Sequence, residues 1–347
     1  MKKFSIVLLS AIALAACSRD EIVKSNESAI DFDLTTDVSV KTVALTTETI
    51  DAFQVWAYTQ APETDGRKAV MEGTTVSKDD NGAWTYSPKK FWPYDTKLDF
   101  YAITPTTLAG SGITPEHQLE VAVSAGSAVV DFAGATISDQ LGEGFNCKNY
   151  PDIVYATAMD MTKETLAGKA LMNFRHAMSQ LQFKIKNASS KELELSFAPT
   201  SLTIEGLDSK GTYTLPMAAA TTSDFDIEES HGTWVTSVVE GKENIPHRIE
   251  VISEKVGTMT TQLITDAEDI HTVIPQKKDD IKINIGVAIY QGEFYIKTVT
   301  KQIPLKEIDW KEGHRYTYTL SGTEILLDPE DYIGFKVTVD EFRIGLE

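Results

Sequence analysis

The sequence is short of the residues that chemistry usually needs. It holds two cysteines, Cys17 and Cys147, and six histidines in 347 residues. Two cysteines allow at most one disulfide, so cohesion must come from packed cores. The histidines are scattered, with no H-E-x-x-H and no close pair of the kind that binds zinc. No G-x-S-x-G nucleophile turn, P-loop or dinucleotide fingerprint occurs. Carboxylates are plentiful, but number alone does not define the spaced acid/base pair of a glycosidase. Basic charge is also scarce: 32 Lys and Arg against 51 Asp and Glu leave a net charge of -19. A surface so acidic repels phosphate, which argues against a nucleic-acid partner. Beyond the first sixteen residues, no stretch is long and apolar enough for a membrane-crossing helix, which takes about 20 residues. The expectation is a protein without catalytic residue, metal or cofactor.

What is present begins at the N-terminus. Lys2 and Lys3 precede an apolar run from Phe4 to Ala16, broken only by Ser5 and Ser10. Its length and flanks read as a secretory leader. The leader closes on Leu14-Ala15-Ala16-Cys17, which resembles the lipobox of bacterial lipoproteins. The resemblance implies cleavage between Ala16 and Cys17 and acylation of the Cys17 thiol. Each buried methylene of such a chain is worth about 0.8 kcal/mol, enough in sum to hold the protein on an outer membrane. With Cys17 acylated, Cys147 has no partner within the chain. Ser18-Arg19-Asp20-Glu21 fits two readings, an export signal to the outer face of that membrane and a plain solvated tether.

The remainder reads as strands. Phe53 to Tyr58 sets the aromatics at 56 and 58 on the face opposite Phe53 and Val55, and Leu181 to Lys186, Ile281 to Ile285, Tyr316 to Leu320 and Phe335 to Val339 alternate apolar and polar residues. Period-two patterning rich in β-branched and aromatic residues marks half-buried strands. Asp79-Asp80-Asn81-Gly82, Asp208-Ser209-Lys210-Gly211 and Gln291-Gly292 supply turn chemistry between them. No long amphipathic helix is evident. Thr136 to Tyr150 reads as an extended loop, and a second polar stretch, Asp160 to Lys169, suggests a boundary. The predicted organisation is a leader over 1–16, a lipidated tether over 17–28, and two β-sandwich domains over 29–168 and 169–347.

Three segments together resemble one family. Lys90-Phe91-Trp92-Pro93 followed by Leu98 to Pro105 is similar to a "YWP…l.FyAysP" stretch of the fimbrillins. Asp152-Ile153-Val154-Tyr155-Ala156 with Phe174 to Leu181 is similar to their "DllyA…F.HamsqL.f". Trp310 to Tyr318 is similar to their "W..G..Y.Y.l". The fimbrillins are lipoprotein precursors of type V pilus subunits. The resemblance implies an all-β chain of two tandem transthyretin-like, Greek-key sandwiches. It also implies a structural role as stalk, tip or anchor of a fimbrium on the cell outer membrane, with a part in adhesion. Its partners would be other pilus subunits, the membrane and an adhesion receptor.

Assembly in that family proceeds by strand exchange after proteolysis. A sandwich that lacks a strand exposes an apolar groove flanked by unpaired backbone groups, and a donated strand satisfies both. The removable strand would carry Ile30, Phe32 and Leu34 on one face. The cut would fall in the following link, where Lys41 is the sole basic residue between Lys24 and Arg67. The family's cut often follows a basic residue; this link has no arginine and so departs from an arginine-specific pattern, and Lys41 also fits an ordinary loop residue. Ile333, Phe335, Val337 and Val339 share a face and fit either a donor strand or the last strand of the second sandwich. A rival reading is a monomeric surface lipoprotein that binds glycan or host protein through its loops. Trp84, beside Tyr86, is the candidate for ligand stacking. His176 and His314 read as hydrogen-bonding residues of core or turn.

Overall fold

A computed structural model of the chain describes residues 25–36, 50–60, 66–104, 118–139, 142–164, 168–188, 192–198, 201–217, 231–252, 254–265, 271–322 and 334–341. Among these residues the secondary structure is β-strand, apart from one 3-10 turn at Cys147–Asn149. The all-β expectation holds.

Five sheets form. The first has seven strands in the order β2 (Asp31–Thr36), β13 (Lys169–His176), β12 (Val154–Met161), β7 (Leu98–Thr104), β3 (Ala52–Thr59), β4 (Ala69–Lys78) and β5 (Trp84–Thr85). Beside it, β1 (Ser25–Ala29) pairs antiparallel with β6 (Phe91–Pro93). A four-stranded sheet runs β18 (Thr233–Ser237), β17 (Lys210–Thr214), β9 (Ser127–Ala133) and β8 (Gln118–Ser124). A second seven-stranded sheet begins with β10 (Thr136–Asp139), β11 (Gly142–Asn146), β19 (His247–Ile249) and β16 (Leu202–Glu205). It continues through β22 (Lys277–Gln291) to β15 (Leu193–Ser196), with β23 (Phe294–Asp309) also on β22. The last comprises β20 (Thr261–Leu263), β14 (Ser179–Asn187), β24 (His314–Gly322) and β25 (Gly334–Glu341), with β21 (His271–Val273) also on β14.

Three apolar cores explain this layering. β7 is buried at every position, because alternate side chains enter different cores. Leu98, Phe100 and Ala102 join Phe53, Val55 and Phe174 in the first. Tyr101 and Ile103 point the other way, to meet Val130, Phe132 and Tyr213 beneath the four-stranded sheet. The third core lies in the second half, where Leu181, Phe183 and Ile185 of β14 face Ile281, Ile283 and Ile285 of β22. The alternation read in the sequence is the alternation of these faces.

One feature departs from the expected organisation. The stretch from Thr136 to Tyr150 is not a loop: β10 and β11 pair with each other, and β11 runs parallel to β19. Gly144 makes this possible, since a Cβ there would stand 2.2 Å from Arg248 Nε. Arg248 lies across that space and donates to Gly142 O and Asp139. β13, which begins at the expected boundary 168/169, lies in the first sheet. β13 pairs with β2 from Lys169↔Asp31 to Phe174↔Thr36 and with β12 at Val154↔His176. A cut at 168/169 would therefore sever β13 from the first sheet. Strands also cross between halves, with β17 on β9 and β11 on β19. We call this the seam.

Candidate strand-exchange site

The candidate site is the rim of the first sheet where β1 and β2 lie. β2 pairs parallel with β13 and has no other strand beside it among the described residues. Between β1 and β2, Ile30 is fully buried; it donates its N–H to Lys90 O at 2.9 Å. Its carbonyl accepts from the Tyr86 hydroxyl at 2.8 Å, and that oxygen accepts from Lys90 N at 3.2 Å. Burial pushes the Tyr86 phenol above its ordinary pKa, and Asp31 adds to this against the opposing effect of the Lys90 bond, so the ring stays a neutral donor.

Phe32 enters a cage of aromatic edges. Its ring centroid lies 5.8 Å from Phe53, 5.7 Å from Tyr86 and 6.1 Å from Phe100, each in an edge-on arrangement. Leu34 is partly buried against the same core. Burying one such side chain contributes about 1.5–3 kcal/mol. The outward residues add little: Asp31 and Asp33 meet Lys89 at 3.4 Å and Lys169 at 3.3 Å, both exposed pairs. Such surface pairs are worth at most about 1 kcal/mol. The strand is held as a plug, by apolar filling and backbone pairing. Its departure would open a groove over Phe53, Tyr86 and Phe100 and bare the β13 backbone edge.

Of the other expected site residues, Ala16, Cys17, Lys41 and Ile333 lie outside the described residues. Phe335, Val337 and Val339 belong to β25, which pairs antiparallel with β24 opposite Leu320, Tyr318 and Tyr316. β25 is thus placed as a rim strand of the last sheet. Trp84 does not stand free for stacking: its ring meets Phe53 at 5.2 Å, and Lys78 Nζ lies 5.2 Å from its centroid. Cys147 is buried, and burial pushes its thiol far above the ordinary range, leaving an inert thiol. No group of three or more His, Cys, Asp or Glu suited to a metal occurs among the described residues. The cage residues Tyr86 and Phe53 were not predicted as site residues; the alternating Trp84-x-Tyr86 was the available signal.

The three motif segments prove to be one another's packing partners. The Trp92 indole donates to Gly168 O at 2.9 Å, pinning the turn before β13. His176 Nδ1 sits 2.8 Å from Asp152 Oδ1. The Trp234 indole donates to Ala177 O at 2.7 Å, Gly313 N donates to Met178 O at 3.0 Å, and Ser179 Oγ donates to Lys311 O at 2.7 Å. His314 Nδ1 meets Glu312 O at 2.7 Å, a turn contact as expected. Buried Glu312 accepts from the Tyr155 hydroxyl at 3.0 Å and meets His231 Nδ1 at 2.9 Å. The motifs therefore record how the two halves are clamped.

Layered sheets, a filled rim and motifs devoted to packing define an all-β protein. The chain belongs to the fimbrillin-like family, whose model matches residues 40–340. Among solved structures, it is similar to a fimbrial protein of Bacteroides vulgatus, with 16% identity and a TM-score of 0.63 over 91% of this chain and 99% of that one. A fimbrial assembly protein of Parabacteroides distasonis matches with 13% identity and a TM-score of 0.36, over 90% of this chain and 100% of that one. No curated protein matches the chain.

Proposed function

We propose that this chain is a structural subunit of a type V-like pilus, exported as a lipoprotein acylated at Cys17 and displayed on the outer membrane. Its assembly is strand exchange. Cleavage in the link at Lys41 releases the segment with Ile30, Phe32 and Leu34, and a neighbouring subunit fills the vacated groove. Each half acts as one transthyretin-like sandwich, with the division after β13. The observation that carries this reading is Phe32 and Ile30 filling the first core from a rim strand. A plug of that kind is removable without breaking the sheet behind it, and its groove fits a donated strand. Repeated head to tail, the contact does not close, so it yields a filament. Adhesion follows as a function of the filament, and no residue acts as a catalyst.

The test is the N-terminal sequence and mass of the protein recovered from the cell surface. A lipid-bearing Cys17 is expected on precursor and anchored forms, and a start near Thr42 on polymer subunits. Heat-sensitive ladders on gels should accompany the shorter form. A protein that is cut at this link yet stays monomeric at high concentration would overturn strand exchange.

A further inference from the structure

β23 forms a second rim, of opposite character. Among the described residues it bonds only to β22, so its outer edge is open from Phe294 to Asp309. Core contact is complete only at Ile303, Leu305 and Ile308. At the other end Phe294 is 81% exposed, Tyr295 57% and Ile296 41%. Native sheets guard such edges with proline or charge. Pro304 guards the inner part, since proline offers no N–H to an incoming strand. No proline stands between Phe294 and Gln302.

The charge of this ribbon runs against that of the chain. From Ile281 to Lys306 it carries Lys282, Lys297, Lys301 and Lys306 against a single carboxylate, Glu293, in a chain of net charge -19. Two copies of the edge laid side by side would set lysine against lysine, which is unfavourable. The surface it fits is acidic, and acidic surface is what the rest of another copy offers. The location suits an outside partner. β14 leads from Ser179 at the seam to Asn187, whose side chain donates to Leu193 O, and Leu193 pairs with Gln291. The exposed turn thus stands roughly 25 Å from the seam, one strand length away.

We propose that the Phe294–Gln302 edge seats an acidic extended segment of a second copy of this chain as an added strand. Different surfaces meet, so the contact is heterologous and propagates. It deepens the pilus reading, on which its biological setting rests, but uses none of the groove residues.

The test is sedimentation velocity of the full chain carrying Cys17→Ala, which removes the lipid site and keeps the β2 plug in place. Reversible association at low salt that weakens with added salt is expected. Lys297→Glu with Lys301→Glu should raise the dissociation constant about tenfold or more. Thr300→Pro should do likewise: residue 300 shares the strand parity of Pro304, so its N–H points to the open edge and not into the ladder. Melting curves matching the parent chain show that each variant folds. A chain that stays monomeric at low salt up to its solubility limit would overturn the proposal, as would both variants associating like the parent. If ladders of processed subunits fail to form while this association persists, the groove reading falls and the edge contact stands.

Discussion

β2 and β23 both end a sheet, yet they are built for opposite purposes. β2 turns Phe32 into an aromatic cage and shows solvent its acidic residues, Asp31 and Asp33. β23 points its first apolar side chains outward and carries lysines along its length. A rim strand that fills a core contributes to stability and leaves a groove when it goes. The outer part of β23, before its core residues Ile303, Leu305 and Ile308, only extends a ribbon, so it offers a platform whose loss leaves the core intact. The comparison makes a plain demand: damage to the two rims must not cost the same.

The sharpest way to break it is Phe32→Ala. Truncating a buried phenylalanine costs about 3–5 kcal/mol, as lost transfer energy plus an unfilled cavity. Urea unfolding followed by tryptophan fluorescence should show that loss. A loss below about 1 kcal/mol would mean that β2 lies on the core without filling it.

Whether such damage stays in the first half depends on the seam. There, parallel β11 and β19 set the Phe145 and His247 rings 4.9 Å apart in a stack. Burial lowers His247 to about 3, against the opposing effect of Asp208. The unfolded imidazole titrates near 6.5. As pH falls, the unfolded chain takes up this proton first. The His247 contribution is therefore complete above about pH 6.5 and drains between there and about 3, by at most roughly 1.4 kcal/mol per pH unit. His247→Phe keeps the stack and removes the proton site. Urea melts of both chains from pH 7 to 4 should diverge, with the variant losing less; parallel curves would refute a buried neutral imidazole.

A smaller effect is expected at Glu312, the clamp between the motifs. Glu312→Ala leaves the buried Tyr155 hydroxyl without its 3.0 Å acceptor. That costs about 1–3 kcal/mol. Glu312→Gln keeps an oxygen there and should recover much of the loss. If the clamp couples the halves, Phe32→Ala in the Glu312→Ala background should unfold in two steps by probes placed in each half.

Much of this architecture was legible because period two is a local signal. Leu181, Phe183, Ile285 and Tyr318 could be assigned to a buried face from their neighbours alone. Ile30 and Phe32 were legible for the same reason, although nothing local says that the strand fits against Tyr86. The errors fall where a glycine serves a distant residue. Gly211 reads as a turn residue, yet it lies in β17, because a Cβ there would stand 2.9 Å from the Trp234 ring. Gly144 misled in the same way, since its open space is filled by Arg248 from about a hundred residues away. The seam was invisible for that reason too. Its pairs join strands distant in sequence, and no periodicity reports which edge meets which.

The smallest predicted effect is also the most discriminating between the rims. Phe294 is 81% exposed at the turn of the β22–β23 ribbon. Phe294→Ala therefore removes little buried area, and surface changes of this kind usually fall within about 0.5 kcal/mol. Its urea midpoint should match that of the parent, against the large shift at Phe32, a residue of the same type. The two substitutions delete identical atoms from two rims, so chemistry cancels and only placement differs. Equal losses would mean that the Phe294 end of β23 is part of a core, as Ile303, Leu305 and Ile308 are, and the distinction between plug and platform would have to be given up. An unchanged midpoint with weakened self-association would instead show an aromatic kept in solvent for a contact made outside the chain.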